Sequence, residues 1–213
     1  MPRLTLASGS PRRRELIRRI SDDVDILVTD VDESVPERTP PDVMVRDVAL
    51  RKAVAALLVE PKSVVIVADT TVAVDGDWLA KPDDDAEAAA MLRRLQGRDH
   101  QVFTGVVVAS SGQIVTDVTM NVVTIAPLGE AEVATYVATG EGLDRAGAYS
   151  IQGSASEIVT GVEGCYTNVV GLPLCNLALL LARSGIAVDA LAPPCGFRSV
   201  RTCPHPVWRI GSR

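Results

Sequence analysis

Apolar residues fall along this chain in two rhythms. One is the short unbroken run: Arg3–Ala7, Val24–Val28, Ser63–Ala68, Gln101–Ala109 and Ile114–Ile125 are rich in Val, Ile, Leu and Thr and bounded by turn residues, as strands are. The other is the helical recurrence. From Asp42 to Val59 apolar side chains return through Val45, Val48, Ala49, Ala53, Ala56 and Leu57, which predicts a helix carrying Arg51 and Lys52. Shorter helices are expected from Pro11 to about Ile20, Asp84 to Leu95, Ala131 to Ala138 and Pro173 to Ser184. Proline suits the first turn at Pro11, and the acidic start at Asp84 suits a helix dipole.

The punctuation between these segments is as informative. Ser8-Gly9-Ser10 breaks the first strand before Pro11, a strand, small-residue loop and helix start whose free N–H groups can receive an anion. Asp30-Val31-Asp32-Glu33 forms an acidic turn, and the stretch from Pro36 to Pro41 holds helix breakers. Asp75-Gly76 signals a hairpin, and Ser110 to Gly112 turns the two long strands into an antiparallel pair. Glu157–Val162 and Tyr166–Val170 read as two further short strands. Asp69 is expected at the C-terminal edge of the Ser63–Ala68 strand, where α/β proteins gather ligands. Beyond about Ala192 the periodicity fails, so one α/β domain is expected over residues 1–192 and an irregular tail over 193–213.

Composition narrows the class. With 213 residues, 47% hydrophobic but only 3% aromatic, the core must be built from Val, Leu, Ile and Ala. A net charge of -6 opposes a broad grip on a nucleic acid polymer, though not a local cation cluster for a small anion. No run is apolar enough to span a bilayer, and Arg12, Arg13 and Arg14 follow the first apolar stretch where a secretory signal has its charges in front. Cys165, Cys175, Cys195 and Cys203 have neither CxxC spacing nor paired histidines, which points to reduced thiols in a cytoplasmic protein without membrane attachment.

Hydrolysis of a phosphoanhydride needs cations to hold spread negative charge, carboxylates for a metal, and a base to orient water. Arg12, Arg13, Lys52 and Lys81 supply the first, and Glu33 and Asp69 the others. Read one at a time, these residues have ordinary alternatives. The arginines suit a solvated helix face, Lys52 a surface lysine, Glu33 a turn, Lys81 a hairpin end and Gln152 a Gly-flanked turn. His100 reads as a structural residue at a strand start. The chain lacks GxxxxGK[ST] and GxGxxG, and no serine nucleophile elbow with its partners is present.

Taken in order, several stretches resemble the Maf family. They are Leu6-Ala7-Ser8-Gly9-Ser10-Pro11-Arg12-Arg13, Asp32-Glu33, Ala68-Asp69-Thr70, Lys81-Pro82, His100-Gln101-Val102, Ala146-Gly147-Ala148-Tyr149-Ser150-Ile151-Gln152-Gly153 and Val169-Val170-Gly171-Leu172-Pro173-Leu174. The resemblance runs from about Leu4 to Arg183. It implies an α/β fold of two lobes around a central cleft, with a mixed, elongated sheet flanked by helices, similar in shape to the inosine triphosphate pyrophosphatases and frequently a homodimer. It also implies release of pyrophosphate from a nucleoside triphosphate with a divalent cation, Mg²⁺ or Mn²⁺. By position, Asp69 matches the proton acceptor, and Ser8, Arg13, Glu33, Lys52 and Lys81 match the polar cleft lining. Glu33 and Asp69 are the expected metal ligands; Arg12, Thr70 and Gln152 match positions tied to substrate choice.

The Ala-Asp-Thr and Tyr-Ser-Ile-Gln-Gly forms are similar to the dTTP/UTP branch, and Gln152 offers a donor and an acceptor to a pyrimidine edge. Arg145 and Gln96 depart from the family's usual lysine and serine, and Arg145 alters any hydrogen-bond geometry a lysine would have there. Two alternatives remain open at this stage: a pyrophosphatase acting mainly on modified nucleotides, and a nucleotide-binding regulator of cell division with negligible turnover.

Overall fold

The structure is a computed structural model that describes residues 3–153 and 157–188. The tail expected over 193–213 lies outside the described residues. Seven strands form one mixed sheet in the order β2-β1-β3-β5-β6-β7, with β4 also paired to β3. Strand β1 (Leu4–Ala7) runs parallel to both β2 (Val24–Leu27) and β3 (Val64–Val74). The remaining pairings, of β4 (Asp77–Leu79), β5 (Asp99–Ser110), β6 (Gln113–Ile125) and β7 (Val159–Glu163), are antiparallel.

Helix α2 (Pro41–Val59) covers one face of this sheet, packing Ala49, Ala53 and Ala56 on Val65, Val67, Val107 and Ala109. Small residues on both partners bring helix and sheet close. The approach is tightest at Gly105, where an added Cβ would stand 2.6 Å from the Val45 carbonyl oxygen. The opposite face carries the larger core, with α3 (Asp85–Leu95), α4 (Glu130–Val137) and α6 (Leu174–Arg183) contributing Leu92, Leu95, Val133, Leu177, Leu180 and Leu181. The expected α/β architecture, a mixed sheet flanked by helices, is the one observed.

Two expectations about local structure are corrected. The strand expected to stop at Ala68 continues through Asp69-Thr70-Thr71 to Val74, placing Asp69 in mid-strand opposite Gly105 of β5. Polar residues do not end this strand because β5 pairs with it along Val65–Ala73. Tyr166–Val170, read as a strand, is the short helix α5. A β-branched run of this length fits either element, and tertiary anchoring decides. Buried Asn168 donates to the Val102 carbonyl at 3.1 Å and to Asn121 at 2.8 Å, and Gly171 takes the left-handed conformation that ends the helix. Helix α1 is also shorter than expected, Pro11–Ile17.

Candidate active site

The cleft is a consequence of how β3 is paired. On the side away from β5, β1 covers Val64–Ile66 and β4 covers Val72–Val74. Among the described residues no strand pairs with β3 on this side between those two ladders, so the strand edge around Asp69 and Thr70 opens into a cavity of about 840 Å³. A volume of that size suits a nucleotide-sized ligand. Successive strand residues point to opposite faces, so Asp69 shares the face of Val65 and Val67, toward α2, while Thr70 points the other way. Ser8, Arg12, Arg13, Glu33, Lys52, Asp69, Thr70, Lys81 and Gln152 all line this one cavity.

Lys52 is the centre of the carboxylate end. Projecting from α2, its Nζ donates to Asp69 Oδ1 at 2.9 Å and lies 2.9 Å from Glu33 Oε2. Asp69 and Lys52 are largely enclosed, with side chains 11% and 13% exposed, whereas Glu33 is 60% exposed. The two carboxylates thus already share one cation. Their hard oxygen donors match Mg²⁺ or Mn²⁺, ions held by one or two carboxylates together with phosphate oxygens and water. Among the described residues no group of three His, Cys, Asp or Glu surrounds a common point, so substrate and water would complete such a sphere.

The cationic end gathers around Arg13. Its Nε donates to the Gly171 carbonyl at 2.8 Å and its Nη2 to Thr70 Oγ1 at 3.0 Å, while Thr70 also shares a hydrogen bond of 2.9 Å with Thr104. The Thr70 hydroxyl is therefore occupied in holding Arg13. Burial lowers the pKa of Arg13, against the pull of Asp69, Glu33 and Asp144. Burial, and then the neighbouring Arg145, pushes Arg12 down to about 10; burial also lowers Arg145. Three arginines thus carry charge at a desolvation cost that an incoming anion would offset.

Lys81 is not part of the Lys52 cluster. It is 65% exposed and pairs with Asp144 at 2.5 Å, and Arg12 Nη2 reaches the Asp144 carbonyl at 3.4 Å. Burial raises the Asp144 pKa, but the hydrogen bond and charge of Lys81, with Arg12 and Arg145, outweigh it and leave the carboxyl below its ordinary value. The strand-loop-helix cradle is more self-satisfied than its sequence suggests. The Ser10 N–H donates to Ser8 Oγ at 3.2 Å and the Arg13 N–H to Ser10 Oγ at 3.5 Å. Gln152 hydrogen-bonds Tyr166 through its side chain.

Sequence reasoning missed Asp144, the Gly171 carbonyl and Tyr149, which also line the cavity. Tyr149 sat inside a quoted motif without a role. In the structure its hydroxyl meets buried His100 Nε2 at 2.7 Å, with the rings edge to face. Burial pushes His100 down to about 4 and the Tyr149 phenol up. His100 is buried in β5 and backs a cleft residue.

Comparison with known proteins finds relatives over most of the chain. The family model described as Maf-like protein matches residues 3–184. A dTTP/UTP pyrophosphatase of Pelotomaculum thermopropionicum is 46% identical over 190 residues, covering 88% of this chain and 100% of that protein. Proteins of the same name from Symbiobacterium thermophilum and Deinococcus radiodurans are each 44% identical, covering 88% and 87% of this chain and 97% and 95% of theirs. Among solved structures, the Staphylococcus aureus Ham1 protein is similar at a TM-score of 0.46 and 17% identity, over 73% of this chain and 90% of that one. Among the described residues no helix is long and apolar enough to cross a membrane.

Proposed function

This chain belongs to the Maf-like protein family, and we propose that it is a nucleoside triphosphate pyrophosphatase hydrolysing dTTP and UTP to the monophosphate and pyrophosphate. The observation that carries this reading is the convergence of both charge types in one cleft. One cavity gathers two carboxylates joined by Lys52 and three arginines, Arg12, Arg13 and Arg145, whose charges are made costly by burial.

Asp69 is the group that orients water and accepts its proton. A new bond forms from the water oxygen to the α-phosphorus, and the bond from that phosphorus to the oxygen bridging to the β-phosphorus breaks. Negative charge then accumulates on departing pyrophosphate, where Arg12, Arg13 and Lys81 stabilise it; preorganised donors act on charge that develops in the transition state. Lys52 fixes the Asp69 carboxylate through its hydrogen bond of 2.9 Å. Glu33 and Asp69 are the residues to hold a divalent cation, which when bound supplies electrostatic stabilisation of phosphoryl oxygens.

Substrate choice rests on Arg12, Thr70 and Gln152. Gln152 presents an amide able to donate and accept at a pyrimidine edge. Thr70 acts through Arg13, whose guanidinium it holds at 3.0 Å.

The test is a product analysis with purified protein, Mg²⁺ or Mn²⁺, and dTTP, UTP, CTP, GTP and 7-methyl-GTP. Monophosphate and pyrophosphate from dTTP and UTP are expected, with kcat reduced by on the order of 10²-fold or more in Asp69→Asn. Orthophosphate as the product, or an Asp69→Asn protein that is folded and fully active, would overturn the reading.

A further inference from the structure

Glu33 is an exposed residue on the segment between β2 and α2, which forms neither helix nor strand from Val28 to Pro40. Among the described residues its carboxylate has one ion-pair partner, Lys52. One ion pair at a site 60% exposed does not fix a backbone. The backbone is held from α2 by a different residue. Arg51 Nη1 donates to the Asp32 carbonyl and Nη2 donates to the Ser34 carbonyl at 3.0 Å, so a single guanidinium grips the chain on both sides of Glu33. Asp47, one turn earlier on α2, holds the same Nη2 at 3.1 Å. A guanidinium's planar, fixed donors suit two such carbonyls at once; an ammonium is a point charge without that fork.

We infer that Arg51 is a positioning residue for Glu33: it clamps the carbonyls flanking Glu33 so that the carboxylate stays beside Lys52 and Asp69. Adjacent residues on one helix thereby divide the task, Arg51 holding the backbone and Lys52 the side chain. The inference rests on the pyrophosphatase reading for its consequence in turnover, and on the hydrogen bonds alone for its consequence in backbone order. Nothing in the family resemblance assigns a role to this position.

The experiment compares wild type, Arg51→Met, Arg51→Lys, Glu33→Gln and the Arg51→Met/Glu33→Gln double variant, with melting temperatures to establish that each is folded. Amide hydrogen exchange is followed over residues 29–36 in protein free of metal and nucleotide, and pyrophosphate release is followed with dTTP. Faster exchange around Glu33 is expected in Arg51→Met. Its kcat should fall about 10- to 100-fold, the range seen when a supporting hydrogen-bond partner is removed from a functional ligand. Arg51→Lys should recover only part of that loss. In the Glu33→Gln background Arg51→Met should cost almost nothing further, because the group it positions is already disabled. An equal loss in both backgrounds, or unchanged exchange around Glu33, overturns the inference. If wild type releases no pyrophosphate, the functional reading fails, while the exchange measurement still decides whether Arg51 orders the segment.

Discussion

Asp69 and Glu33 contact the same ammonium, yet the molecule holds them by opposite means. Asp69 stands in the middle of β3, paired to β5 in register and faced by a helix close enough that Gly105 leaves no room for a Cβ. Glu33 stands on an irregular segment secured by Lys52 and by the Arg51 clamp. The cationic side repeats the contrast: Arg13 is tied to Gly171 and Thr70, while Lys81 and Asp144 form an exposed pair. The sheet-held groups are fixed by strand register and packing across the whole fold, whereas the loop-held ones rest on a few side-chain contacts.

The contrast is broken most severely at its shared point. Lys52→Met should reduce kcat by on the order of 10²-fold or more. It should also cost about 3 kcal/mol of stability, because it leaves the enclosed Asp69 without its counter-ion. Kinetics and urea midpoints measured together check both arms; a loss of activity at unchanged stability would mean Asp69 is less dependent on Lys52 than its 2.9 Å contact implies.

Acid should act on the sheet-held side. Burial holds His100 at about 4, against an ordinary value of 6.5, so above pH 6.5 it is neutral in both folded and unfolded chains and stability is unaffected. As pH falls from there toward 4 the unfolded chain binds a proton that the folded one resists, removing on the order of 3 kcal/mol. Urea midpoints across this range should slope less in His100→Gln than in wild type; equal slopes would assign the acid sensitivity elsewhere.

A smaller perturbation reaches the centre through the backbone. Gly105→Ala forces α2 from β5 and should cost roughly 2 kcal/mol while also lowering kcat, since Lys52 moves with its helix. Retained kcat in this variant would show that the helix yields without displacing Lys52. Least costly to the fold is Lys81→Gln. It should change stability by under about 1 kcal/mol, as expected of an exposed pair, and lower kcat for dTTP about tenfold through loss of one charge-assisted contact to the departing pyrophosphate. A raised KM with kcat unchanged would instead confine Lys81 to ground-state binding.

Much of the fold was legible because its main elements announce themselves locally. The Val- and Ile-rich β3, the helical recurrence of α2 and the Asp75-Gly76 hairpin are all governed by short-range periodicity and turn chemistry. The misreadings fell where local signals compete with distant contacts. Asp69-Thr70-Thr71 looks like the end of a strand until β5 pairs with it, and Tyr166–Val170 looks extended until Asn168 finds Val102 and Asn121.

The site divides along the same line. Residue types and motif order alone nominated most of the side chains that meet in the cleft, because carboxylate, ammonium and guanidinium properties travel with the residue. Tertiary structure decided their pairings: Lys52 between Asp69 and Glu33, Lys81 on Asp144, Thr70 on Arg13, and Arg51 across the Glu33 backbone. Most of those contacts join residues far apart in the chain, and Asp69 and Thr70 make theirs at the opening left in β3 between β1 and β4, which long-range strand pairing creates.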